Sequence, residues 1–305
     1  MGKYDNAILD ETFYNDEIIS DKSRNSVLDH LVDDFKQGKT ELQILKENNE
    51  WDILYHISPV RKNILEWYEF KKDASVLEIG AECGILTDLL CKKVKQVTCI
   101  EVSKKKSLVN AERNKKYDNL KIYVGDYQNI VLEQQFDYVL LIGGLDKAPD
   151  YLDTNTPFHD LLVKIYGHLK TDGILLLATD NKFGLKYWAG DVEKHSGKPF
   201  EGIEGYMTSE EKERTFSKEE LERLIKDAGY KKCTFYYPFP DYKFPQQIFS
   251  DDFLPKEDEI ICSRDCFEND RIQLFDETNA YRNIIKAGKY DFFANSFFIE
   301  ITKDK

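Results

Sequence analysis

Three carboxylates stand at the ends of three successive strand-like runs, the edge at which an open α/β sheet meets its ligands. Glu78 lies in Val76-Leu77-Glu78-Ile79-Gly80-Ala81-Glu82-Cys83-Gly84, a strand running into a glycine-bracketed turn and then a helix. Such a turn exposes backbone N–H groups at a helix N-terminus. The spacing of Gly80 and Gly84 is GxxxG, not GxGxxG, and no Gly-Lys-Ser/Thr follows, which disfavours pyrophosphate and triphosphate cradling. Glu101 closes the next run, residues 97–102, where a carboxylate can accept both hydroxyls of a ribose. Gly125-Asp126-Tyr127 follows the run LKIYV, so Asp126 can accept from an exocyclic amine and Tyr127 can lie against a purine face. Taken singly, each has a plain alternative: a generic strand-to-helix turn, a solvated strand end, and ordinary Gly-Asp turn chemistry. Their succession is the stronger signal.

The second chemistry on offer is proton transfer, for which histidine is suited near neutral pH. The five histidines are His30, His56, His159, His168 and His195. His195 sits in a glycine-rich, charged loop over residues 181–215 that leaves the same sheet edge, and reads either as a base or acceptor contact or as a loop histidine that bonds locally. His56, between Tyr55 and Ser58-Pro59, reads as a group that closes over the edge together with Arg61, or as a packing residue. Asp146 is a further catalytic candidate, and Asn181, Tyr187 and Arg61 are candidates for acceptor binding. His30 and His168 read as structural or solvated and His159 as a surface residue. There is no HxxxH pair or carboxylate triad, so no metal is expected.

The elements that must hold these groups follow from periodicity. Leu28, Leu31, Val32 and Phe35, then Ile64, Leu65 and Tyr68, recur at helical spacing and predict a helical cap over residues 1–70. From residue 74 to 146 short apolar runs alternate with amphipathic stretches, which implies a parallel sheet. A helix over 158–169 is expected to stop at the Thr171-Asp172-Gly173 turn before the buried strand GILLLATD. Ser217 with Glu220 forms a capping box for a helix that Gly229 ends, and KCTFYYPF and NSFFIEIT are the last two strand candidates. Between them, residues 241–294 form an aromatic, acidic insertion. The tract Phe235, Tyr236, Tyr237, Phe239, Tyr242 and Phe244 suits sugar rings or simple packing. The charge runs 104–106 and 210–214 read as hydrated faces.

With 305 residues, the chain has room for a large domain and a sizeable core. Its net charge, 43 − 56 = −13, opposes phosphate backbones and anionic membrane surfaces, so no nucleic-acid partner is expected. No apolar run approaches a bilayer span and no secretory leader is apparent. Cysteines 83, 91, 99, 233, 262 and 266 form no CxxC pair and read as reduced residues of a cytoplasmic protein.

ExGxxxG at Glu78 to Gly84, the acidic Glu101 and the Gly125-Asp126 pair resemble the class I S-adenosylmethionine-dependent methyltransferases. The resemblance implies a doubly wound, Rossmann-like, mostly parallel seven-stranded sheet over residues 71–305, with the helical cap before it and the insertion before the last strand. It implies S-adenosylmethionine as cofactor, with Gly80 and Gly84 admitting the methionine part, Glu101 holding the ribose, Gly125, Asp126 and Tyr127 framing the adenine, and residues 141–146, including Gly143, lining the methyl side. Glu82 departs from the small or polar residue usual at its position. YHISPVRKNILEWY, DNKFGLKYWAGDVEKHSGKPFEGIEGY and FYYPFPDYKFP further resemble bacterial methyltransferases of surface-polysaccharide and glycan biosynthesis clusters, often found beside glycosyltransferases. That likeness implies O-methylation of a sugar or glycan precursor with a general base. Methylation of another small molecule or a phosphate, a non-catalytic cofactor-binding scaffold, and a nicotinamide dehydrogenase on a similar sheet are the rival expectations.

Overall fold

The alternation between residues 74 and 146 folds as a parallel sheet, with amphipathic stretches returning as helices between its strands. The computed structural model describes residues 2–4, 7–15, 26–207, 212–262, 271 and 273–303. Parts of the expected helical cap (residues 16–25), Glu210 and Glu211 of the charge run, and Cys266 lie outside these residues. The described chain forms two compact units, one reaching to Ile142 and including Gly167–Leu175, the other containing Gly143–Tyr166 and Leu176–Thr302.

The first unit opens with β1 (Gly2–Tyr4) and β2 (Ala7–Asp10), followed by α1 (Ser26–Lys36), α2 (Glu41–Glu47), α3 (Trp51–Ile57) and α4 (Asn63–Glu66). Then come β3 (Ser75–Ile79), α5 (Ile85–Lys93), β4 (Gln96–Glu101), α6 (Lys104–Arg113), β5 (Leu120–Val124) and β6 (Phe136–Ile142). Strand order is β1-β2-β5-β4-β3-β6, parallel throughout except for β1 on β2. β3 and β4 are covered on both faces, which is why VLEI and VTCIE read as continuous runs and not as alternations. The α2 helix is set by a capping box between Thr40 and Gln43. Leu28, Leu31, Ile44, Ile53 and Ile57 of α1–α3 share one core with Cys83 and Val109, so these helices are built onto the glycine turn and α6.

One expectation is corrected here. The cap is not helical from its start, because residues 8–10 pair in parallel with 121–123 of β5. AILD is too short for its alternation to stand out beside the helical period that follows.

The second unit contains α7 (Ala148–Tyr151) and most of α8 (Pro157–His168), which leads into β7 (Leu169–Asp180). The expected turn at Thr171-Asp172-Gly173 is part of β7, where the Lys303 N–H donates to the Gly173 carbonyl at 3.2 Å. Next are α9 (Leu185–Trp188), α10 (Lys218–Asp227) with its Ser217–Glu220 capping box, β8 (Lys232–Phe239), β9 (Gln247–Ser250), α11 (Glu277–Lys286), α12 (Tyr290–Phe293) and β10 (Ser296–Thr302). β10, β8 and β9 lie side by side and antiparallel. The described residues therefore hold ten strands in mixed pairing, not the seven mostly parallel strands expected. The aromatic tract is spent on packing: Phe235 meets Phe297 edge-on at 5.5 Å, Tyr237 meets Tyr290 at 6.1 Å and Phe239 meets Tyr281 at 5.9 Å. Such pairs contribute about 0.5–1.5 kcal/mol each beyond the area they bury. Among the described residues no helix is long and apolar enough to cross a membrane.

Candidate functional site

In the first unit the glycine turn is tied to the neighbouring strand, since the N–H groups of Gly80 and Ala81 both donate to the Ile100 carbonyl. Gly80 has φ +74°, and a Cβ built there meets nothing within 4 Å. The turn borders a hollow that Arg61, Glu78, Gly80, Glu82 and Leu86 line. Gly84 has a different reason to be glycine. A Cβ there would stand 2.2 Å from Asn110 Oδ1, so packing against α6 by itself already requires a glycine at position 84. Gly125 is similar, with the Phe13 carbonyl oxygen 2.8 Å from its ideal Cβ, and Gly143 faces the Tyr242 hydroxyl at 2.7 Å. Overpacking at such places costs about 1–3 kcal/mol.

The three strand-end carboxylates have distinct environments. Glu78 is buried, accepts from the Thr87 hydroxyl at 2.6 Å and the Cys99 thiol at 3.2 Å, and has its pKa pushed up to about 7 by burial. Glu101 is 4% exposed and is aimed by two backbone donors, Glu82 N–H at 2.8 Å on Oε2 and Ser103 N–H at 2.9 Å on Oε1. Each oxygen retains a second lone pair, which suits a vicinal diol. Burial raises the Glu101 pKa, opposed by the Lys106 charge. Asp126 accepts from the Gln128 N–H at 2.9 Å and the Gln128 side-chain amide at 2.6 Å, an Asx turn that holds it in place. Tyr127 is buried with its ring 5.8 Å from that of His168.

Glu82 adopts φ +47°, uncommon for a residue with a side chain. Its N–H engages Glu101 and its carboxylate lies 3.0 Å from His56 Nδ1 and 3.7 Å from Lys106 Nζ. Burial opposes charge on His56, but Cys83 and the Glu82 carboxylate outweigh it and hold its pKa up at about 9. Protonated, His56 is an ion-pair partner of the Glu82 carboxylate in the turn. Arg61 is likewise buried, stacked 3.9 Å over the Tyr55 ring and donating to its hydroxyl. Because the folded pKa of His56 exceeds its usual 6.5, its stabilisation is complete below pH 6.5 and lost as pH rises through 9. The unfolding free energy from urea titrations is expected to fall between about pH 7 and 9.5 by an amount on the order of 3 kcal/mol or less, and His56→Gln should flatten that slope. An equal slope in the variant would remove the ion pair as its cause.

In the second unit the sequence candidates His195 and Asp146 come together, with His195 Nε2 2.8 Å from Asp146 Oδ2. The Glu193 carboxylate fixes the loop by accepting from the His195 and Ser196 N–H groups, each at 2.8 Å. Asp146 lies in a helical turn just beyond β6 and, like Asp180 at the end of β7, is 0% exposed. Lys194 reaches both, at 2.6 Å from Asp146 Oδ2 and 3.1 Å from Asp180 Oδ2, while Lys186 lies 2.8 Å from Asp180 Oδ1. Burial would raise the Asp146 pKa, but Lys194 and His195 hold it far below the usual carboxylate range. Lys194 and Asp180 were not singled out by the sequence, because a lysine in a charged loop carries no mark of burial.

Asn181 and Tyr187, the candidates for acceptor binding, are both buried in the second unit. The Asn181 amide donates to the Phe292 and Ala294 carbonyls and its Oδ1 accepts from the Phe183 N–H, which makes it a splice between backbone segments. Tyr187 is buried beside the Asp180–Lys186 pair, and its pKa is raised well above the ordinary value by burial and Asp180. A cleft of about 490 Å³ instead runs past Asp153, Thr154, Phe158, His159, Lys212 and Arg214.

A family model described as a methyltransferase domain matches residues 53–234. Malonyl-acyl-carrier-protein O-methyltransferase of Priestia megaterium is 27% identical over 111 residues, 36% of this chain and 38% of the relative. Ribosomal RNA small subunit methyltransferase A of Borrelia garinii is 34% identical over 91 residues, 28% of this chain and 32% of the relative. The chain thus matches only 38% and 32% of the length of these two relatives. The solved SAM-dependent methyltransferase of Thermotoga maritima aligns at 16% identity with a TM-score of 0.47, over 82% of this chain and 92% of that one.

Proposed function

We propose that this chain, which belongs to the methyltransferase-domain family, transfers the methyl group of S-adenosylmethionine to a hydroxyl of a sugar or glycan precursor. Its fold is the Rossmann-like methyltransferase fold, and S-adenosylmethionine is its methyl donor. The donor fits the residues present: Gly80 leaves open the space a Cβ would fill, Glu101 is oriented with lone pairs to spare, and Asp126 is held at the next strand end. When bound, it supplies an electrophilic methyl carbon on a sulfonium. Glu101 would accept the ribose hydroxyls, Gly80 admit the methionine part, and Asp126 bind the adenine edge.

One observation carries the hydroxyl reading, the hydrogen bond between the buried Asp146 and His195. A neutral hydroxyl must lose its proton as its oxygen forms the new C–O bond, and an imidazole oriented by a carboxylate is a group suited to take it. The C–S electron pair leaves with sulfur, and the His195 imidazolium, opposed by Asp146, passes its proton to water. The sugar assignment is supported by the likeness of YHISPVRKNILEWY and its companion segments to glycan-cluster methyltransferases. Glycosyltransferases acting on the same acceptor are the proposed partners, in the cytoplasm. Ribosomal RNA, the substrate in the name of one relative, is disfavoured by the net charge of −13. A phosphate-bearing acceptor, such as a nucleotide-linked sugar, is favoured by Lys212, Arg214 and His159 along the cleft.

Incubation with methyl-labelled S-adenosylmethionine and extracts of lipid-linked or nucleotide-linked sugars is expected to place label in an alkali-stable ether on carbohydrate. Label confined to protein, RNA or alkali-labile esters would overturn the assignment of the acceptor.

A further inference from the structure

We propose that Lys194 is a positioning residue that keeps His195 an uncharged base and leaves Nδ1 as the proton-accepting atom. This rests on the reading of His195 as the base for a hydroxyl acceptor.

The geometry begins with one oxygen. Asp146 Oδ2 lies 2.8 Å from His195 Nε2 and also 2.6 Å from the Lys194 ammonium. An ammonium can only donate, and the carboxylate can only accept, so the Nε2 contact requires hydrogen on Nε2. A neutral ring with its hydrogen on Nε2 carries its lone pair on Nδ1, which has no hydrogen-bond partner among the described residues. The loop bond from His195 N–H to Glu193 holds the backbone and leaves that nitrogen unengaged.

Charge accounting gives Lys194 its part. A buried carboxylate beside an imidazole favours the imidazolium. Asp146 and Asp180 are both fully buried, so their two charges are poorly screened. Lys194 bridges them and Lys186 completes the pair at Asp180, giving two cations for two anions before His195 is counted. The remaining groups around this set are Glu193 and Tyr206 of the loop, Asp150 of α7, Tyr187 of α9 and Lys243 of the insertion. Glu193 and Asp150 are carboxylates on the histidine's side, which makes the Lys194 charge the more necessary. With that charge gone, the imidazole is the group left to balance Asp146, and once protonated it can no longer accept a proton.

The test uses the full chain labelled with ¹⁵N-histidine and reads the His195 ring by NMR, identified by its absence in His195→Gln. The wild type is expected to show Nε2 protonated and Nδ1 bare at about pH 7. Lys194→Gln should raise the His195 titration midpoint by about one unit or more, and Lys194→Arg should restore it. Hydrogen on Nδ1 in the wild type overturns the proposal whether or not either variant folds, as does a midpoint unmoved in folded Lys194→Gln. Calorimetry with S-adenosylhomocysteine separates the two readings: absent binding would sink methyl transfer itself, whereas normal binding with the wrong tautomer sinks only the role of Lys194 and Nδ1.

Discussion

Glu101→Ala is expected to weaken S-adenosylhomocysteine binding by about 100-fold or more, because it deletes two charge-assisted bonds to the ribose worth about 1.5–3 kcal/mol each. It should also lower stability. The Glu82 and Ser103 N–H groups both end on this carboxylate and would be left unsatisfied in a buried place, at about 1–3 kcal/mol apiece. Glu101→Gln separates the effects, since its amide keeps one acceptor oxygen for one N–H and presents a donor where the other N–H and a hydroxyl seek an acceptor. Calorimetry measures the first loss and urea unfolding the second. An alanine variant that binds the product with unchanged affinity would remove Glu101 from the cofactor site.

Methyl transfer by His195→Ala should fall by about 10²–10⁴-fold with the acceptor identified by labelling, while donor affinity stays within about two-fold. Loss of kcat with donor binding intact is the signature of a group that acts in the transition state. In wild type the rate should rise with pH on an acidic limb that vanishes in the variant. Asp146→Asn should keep the fold of the loop, which Glu193 secures, yet lose rate because the amide no longer enforces hydrogen on Nε2. A fully active His195→Ala enzyme would mean that the acceptor arrives already deprotonated, or that another group takes its proton.

The strand-end placing of the proposed donor residues is legible in the chain because its determinants are local. A carboxylate or glycine that closes a β-rich run is placed by the strand itself, so Glu78, Glu101 and Asp126 could be read from position alone. The reason for a glycine is less legible. Gly84 and Gly125 are required by Asn110 and by Phe13, contacts that exist only after folding. The same holds for His56, whose neighbour Glu82 reads as an oddity of the turn until both are seen 3.0 Å apart. β2 leaves little trace because four residues are a weak period, and Thr171-Asp172-Gly173 reads as a turn although pairing carries these residues through a strand. Lys194 is the extreme case: its surroundings are assembled from the turn after β6 and the end of β7, both remote in the chain.

Arg113, whose side chain is 3% exposed, donates to the carbonyls of His56 and Cys83 at 3.1 and 3.2 Å and pairs with Glu41. One guanidinium therefore rivets α2 and α3 to the residue just before Gly84. Swinging those helices outward would break the Glu41 pair and the bond to the His56 carbonyl together. The helices before the sheet and the glycine turn are thus masoned together through one side chain, and Arg113→Ala would unpin both at a stroke.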